Sequence, residues 1–122
     1  MTMVPMRLEA SIAASPYDPY YEAAFVFCHD SEENYSFSLS RTPDQDEIEL
    51  RVRDHLTTRV RQLDVRWDGS RLTAWLDQPA ATRLDGRRTY EIRVTLAEGQ
   101  GPAVSAALAR IFEGKRGLQL LA

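Results

Sequence analysis

Apolar and polar residues alternate with period two over most of the chain, the signature of strands with one wet face. Leu8, Ala10, Ile12 and Ala14 alternate with Arg7, Glu9, Ser11 and Ala13, which predicts a first strand. Tyr35, Phe37 and Leu39 alternate with three serines, and Ile48, Leu50 and Val52 with Glu47, Glu49, Arg51 and Arg53. Leu63, Val65 and Trp67 continue the pattern, with Val60 out of phase as a bulge near Arg61 would place it. Asp68-Gly69 is a hairpin turn leading to Leu72, Ala74 and Leu76. Tyr90, Ile92, Val94 and Leu96 form the cleanest alternation of all.

The remaining stretches break the alternation. Ser15 to Tyr21 carries Pro16 and Pro19, which donate no ladder hydrogen bond, and so reads as a loop or edge bearing Tyr17, Tyr20 and Tyr21. Glu22 to His29 is apolar at successive positions, which predicts a central strand covered on both faces. Asp77 or Gln78 as cap, Pro79 at the first helical position and Gly86 as stop predict a short helical connector. From Pro102 the spacing of Val104, Leu108 and Ile111 turns helical and ends at Gly114. The tail from Gly117 to Ala122 reads as a last strand or a packed end. The expected fold is α+β, a mostly antiparallel sheet of about seven strands with a C-terminal amphipathic helix on one face, in one domain over residues 1–122.

Composition narrows the functional classes. A chain of 122 residues with 43% apolar side chains supports one core. The single cysteine, Cys28, provides no internal disulfide. No apolar run is long enough to span a membrane, and Met1 to Arg7 lacks a charged segment followed by an apolar one. A cytoplasmic location without membrane association is expected.

Candidate chemistry is sparse. Cys28 and His29 are adjacent, but neighbours on a strand point to opposite faces and cannot act as nucleophile and base. Cys28, His29 and His55 have no metal-ligand spacing. Gly99 and Gly101 stand between strand and helix, but Val104 occupies the place of the third small residue of a dinucleotide fingerprint and Pro102 removes an amide. A ligand pocket would need Phe25, Phe27, Tyr35 and Trp67 to converge, and these read more simply as core. Neither catalysis, a cofactor nor a metal is expected.

Charge is more informative. Residues 17 to 49 hold nine acids and one base, whereas residues 50 to 122 hold thirteen bases interspersed with eight acids. The interspersed half reads as a solvated face, not a nucleic-acid surface. In the acidic half, the turns 30–34 and 43–46 lie at opposite ends of one strand, beside the tyrosine loop. Acids steer a basic partner, and tyrosines supply contact energy.

The run Tyr35-Ser-Phe-Ser-Leu-Ser-Arg41, the acidic turn, Glu47-Ile-Glu-Leu, the segment Leu63 to Leu72 around Trp67-Asp-Gly, Leu84-Asp-Gly86, Tyr90-Glu-Ile-Arg-Val94 and Leu108-Ala-Arg-Ile-Phe112 together resemble the immunity protein 10 (Imm10-like) family of bacterial polymorphic-toxin systems. The resemblance runs from Ala24 to Gly114, and the tyrosine-proline loop lies outside it. It implies a cytoplasmic protein without chemistry of its own that binds and blocks one cognate toxin, such as a basic nuclease or another secreted effector domain. A homodimer is compatible with it. The expected partner-binding residues are Tyr17, Tyr20 and Tyr21 as anchors, with Asp30, Glu32, Glu33, Asp44 and Asp46 supplying charge. The alternative is an adaptor or chaperone-like module for a secreted effector, which would add a strand to a sheet edge.

Overall fold

The computed structural model describes residues 4–121. The reading of the first residues as leaderless falls partly on Met1 to Met3, outside the described residues. No described helix is long and apolar enough to cross a membrane.

Among the described residues nine strands form one mixed sheet in the order β5-β4-β3-β2-β1-β8-β7-β6-β9. The first five are β1 (Met6–Asp18), β2 (Ala23–Asp30), β3 (Tyr35–Arg41), β4 (Ile48–Val52) and β5 (Leu56–Val60), an antiparallel meander. Then follow β6 (Asp64–Trp67), β7 (Arg71–Trp75), α1 (Gln78–Arg83), β8 (Thr89–Thr95), α2 (Gln100–Ile111) and β9 (Leu118–Leu120). The α+β expectation holds at this level, with two corrections. Among the described residues there are nine strands instead of seven, and β1·β8 and β6·β9 pair in parallel.

The extra strands have physical reasons. In β5 the core-facing row is Leu56, Thr58 and Val60, and the threonine hides the alternation; the strand is regular to Val60, with no bulge at Arg61. β9 depends on Gly117, whose φ is +104° and where any Cβ would collide with the Leu63 carbonyl; its own carbonyl accepts the Val65 N–H at 2.8 Å. The first strand also runs on to Asp18, because a register shift between Ser15 and Asp18 absorbs Pro16. Only residues 19–22 form the turn.

The helices largely follow their capping residues. Asp77 accepts the Ala80 N–H at 2.9 Å and Pro79 stands in the first turn of α1. α2 starts at Gln100, two residues before Pro102, after Gly99 at φ +80°. The Gln100 side chain accepts the Ala97 N–H and donates to the Ile12 carbonyl, which ties the helix start to β1.

The sheet is concave. Tyr35 on β3 and Tyr90 on β8 are three strand steps apart, yet their hydroxyls lie 2.9 Å from each other. Residues 61–63 alone connect edge strand β5 to β6, a reach of at most about 14 Å. Into the hollow α2 places Val104, Ala107, Leu108 and Ile111, over Ile12, Val26 and Leu39 of β1 to β3. Arg41 donates to the Ile111 and Glu113 carbonyls at 2.9 and 2.7 Å, satisfying the end of that helix.

Candidate functional site

The hairpin between β1 and β2 raises the three tyrosines into solvent. Tyr17, Tyr20 and Tyr21 are 49%, 85% and 64% exposed. Asp18 shapes the turn by accepting the Tyr20 and Tyr21 N–H groups at 2.8 and 3.2 Å, and Glu22 closes it at φ +54°.

The aromatic surface does not end at the turn. Tyr21 packs edge-on against Phe25, with ring centroids 6.1 Å apart, and further along the same face Phe27 stacks on His29 at 6.4 Å. Phe27 is 38% exposed. The expectation of a strand covered on both faces is therefore corrected. Ala24, Val26 and Cys28 face the core, while Phe25, Phe27 and His29 stand on the outer face, which no described element covers. The flanking positions are small: in register, Phe25 lies between Ser15 and Ser40, and Phe27 between Ala13 and Ser38. An aromatic ridge thus rises between two low strips. Sequence inspection missed it because a successive apolar run looks the same whether its second face is buried or bare.

The acids separate as the strand order requires. Glu32 and Glu33 are exposed at one end of β3, and Asp44 and Asp46 at the other, with the tyrosine turn. Asp46 faces Arg61 at 3.4 Å and Lys115 at 3.5 Å, so its charge is largely answered within the chain. Asp30, expected as a surface charge, is only 4% exposed. Its carboxylate accepts the N–H groups of Glu9, Glu32 and Glu33 at 2.9 to 3.0 Å and ties the turn to β1. Desolvation pushes this carboxyl up, but those three N–H donors outweigh it and hold it below the usual range. It is a nearly buried carboxylate that holds the turn in place.

The four aromatics of the conjectured pocket do not converge. Tyr35 and Trp67 are in the core, and Phe25 and Phe27 are on the opposite face. Cys28 is buried, with its thiol pushed up to about 12 by desolvation, while His29 points away from it to the outer face. Among the described residues no group of three or more His, Cys, Asp or Glu side chains could hold a metal ion.

A second aromatic cluster was not visible in the sequence. Tyr35 donates to Asp85 at 2.6 Å and Tyr90 to the other oxygen of the same carboxylate at 3.0 Å. Arg53 donates to Asp85 at 3.2 Å and lies over the Tyr35 ring at 5.3 Å. Burial raises Asp85, but the tyrosine hydroxyls and the guanidinium prevail and lower it; burial and the carboxylate push both tyrosines up. The cluster locks the loop after α1 to β3 and to the turn after β4. Its members lie at positions 35, 53, 85 and 90, a spacing that carries no local signal.

Compared with protein-family models, curated proteins and solved structures, the chain finds no match.

Proposed function

We propose that the protein acts by binding, as an immunity protein that neutralises a cognate bacterial toxin. The observation that supports this reading is the uncovered aromatic ridge, joined to the tyrosine turn and bordered by acids. Contiguous exposed aromatics on a monomer mark interaction sites, and tyrosine and phenylalanine are enriched where interfaces bury most area. The resemblance of residues 24 to 114 to immunity proteins points the same way. Tyr17, Tyr20 and Tyr21 serve as anchors, and Asp44 and Glu22 add steering for a basic partner. Asp30 contributes only by holding its turn.

The test is capture of a partner from the native host with the tagged full chain, followed by expression of each candidate alone and together with it in a test bacterium. A stoichiometric partner that kills alone and is harmless in co-expression is the expected result. A partner harmless in both settings would replace this reading with the adaptor, and no partner at all would refute both.

A further inference from the structure

Beside the ridge lies a trench whose shape restricts what can occupy it. Ser38 and Ser40 form its floor; in register they face Phe27 and Phe25 on one side and Arg51 and Glu49 on the other. The depression to which it belongs, which also reaches Ala13 across the ridge, has a volume of about 600 Å³. The walls stand two strand spacings apart, about 10 Å. At one end Ser36 donates to the Asp54 carboxylate at 2.9 Å, and the turn after β4 closes the trench. At the other it opens under Tyr21 and Thr42 towards the acidic turn. From Ser38 to Thr42 it is about 14 Å long, at about 3.4 Å per residue.

β3 is hydrogen-bonded to strands on both sides, so nothing can enter by strand addition. An extended segment laid on top would turn unpaired N–H and C=O groups towards phenyl rings. A helix satisfies its own backbone, and with a diameter of about 10–12 Å it rests on the two walls and lowers one row of side chains towards the serine floor. At 1.5 Å per residue, about nine residues fill the length. Charge sets one end. Among the described residues, Glu22 and Asp44 are exposed at the open mouth and have no cation within ion-pair distance. On the far wall, Glu49 is shared by Arg51 and Arg59, each at 3.6 Å.

We infer that the trench seats one amphipathic helix of a protein partner, with apolar residues at i, i+3, i+4 and i+7 against Tyr21, Phe25 and Phe27 and with lysine or arginine at the end that meets Glu22 and Asp44. The inference deepens the binding role proposed above and rests on it in one respect, that the occupant is a protein.

The probe is a synthetic 14-residue peptide with leucines at that spacing and three lysines at one end, side-chain-stapled because so short a helix is marginal alone. Binding to the full chain is read by fluorescence anisotropy and by amide shifts of the labelled protein. The expected result is saturable binding that shifts the amides of residues 25–27 and 38–40. The double variant Phe25→Ser, Phe27→Ser should weaken it at least tenfold with an unchanged amide spectrum elsewhere. The pair Glu22→Gln, Asp44→Asn should weaken it about threefold and flatten its salt dependence.

Equal binding of a shuffled peptide, or shifts confined to another face, would overturn the inference. So would an oligothymidylate that shifts the same amides where the peptide does not, which would mark a base-stacking platform. Self-association of the protein alone that Phe27→Ser abolishes would make a second copy the occupant. The two proposals fail separately. Toxin neutralisation undiminished in the Phe25→Ser, Phe27→Ser protein removes the trench and keeps the immunity role, whereas peptide binding without any toxic partner does the reverse.

Discussion

The molecule has two aromatic groups of similar composition and opposite use. At one end of the hollow, Tyr35, Phe37 and Tyr90 are buried, with Phe37 and Tyr90 centroids 4.7 Å apart and both hydroxyls bound to Asp85. On the outer face, Tyr21, Phe25 and Phe27 pack edge-on or stack on His29 but leave ring surface in water. The first group has every polar atom satisfied and serves the fold. The second stabilises little, and its exposed rings are available for an interface. What a ring contributes is set by what covers it, not by its chemistry.

Substitutions sharpen this contrast, and the largest effect belongs to the buried group. Phe37→Ala is expected to destabilise the protein by about 3–5 kcal/mol, since a fully buried ring is replaced by a cavity. Urea denaturation read by circular dichroism measures it. Asp85→Asn comes next, at about 1–3 kcal/mol, because two tyrosine hydroxyls and a guanidinium lose their charged acceptor. A neutral result there would mean that the cluster is wet and interchangeable.

The same carboxyl carries a pH signature. Asp85 and Asp30 both titrate below the ordinary carboxylate value in the folded chain, so folding favours their ionised forms. Their contribution is complete above about pH 4 and is lost as pH falls through the lowered folded values. Stability measured between pH 5 and 2 should therefore fall less steeply in Asp85→Asn than in the parent protein. The smallest effect belongs to the ridge. Phe27→Ser should change stability by no more than about 0.5 kcal/mol, as an outer-face substitution. A loss above about 1.5 kcal/mol would break the contrast by showing that the ridge is structural.

How much of this was legible differs from element to element. The strands at Tyr35, Ile48 and Tyr90, the Asp68-Gly69 turn and the start of α1 could be read directly, because each is written within a few residues; the end of α1 falls at Leu84, two residues before the expected Gly86. β5 escaped because Thr58 interrupts its apolar row, and the parallel pairing of β1 with β8 escaped because alternation says nothing about neighbours. The tyrosine turn was found as a candidate, and the ridge continuing from it was not. Asp30 was misplaced for a related reason: an acid in a polar turn looks the same whether it faces water or collects one N–H group from β1 and two from its own turn.

The sequence by itself determined local periods, turn chemistry and the acidic bias of residues 17 to 49, since these depend on neighbours along the chain. Only the tertiary structure decided which face of β2 stays bare, which acids remain available and that positions 35, 53, 85 and 90 meet. Burial and charge pairing are properties of surfaces that close in space, and those surfaces exist only once the sheet has coiled around α2.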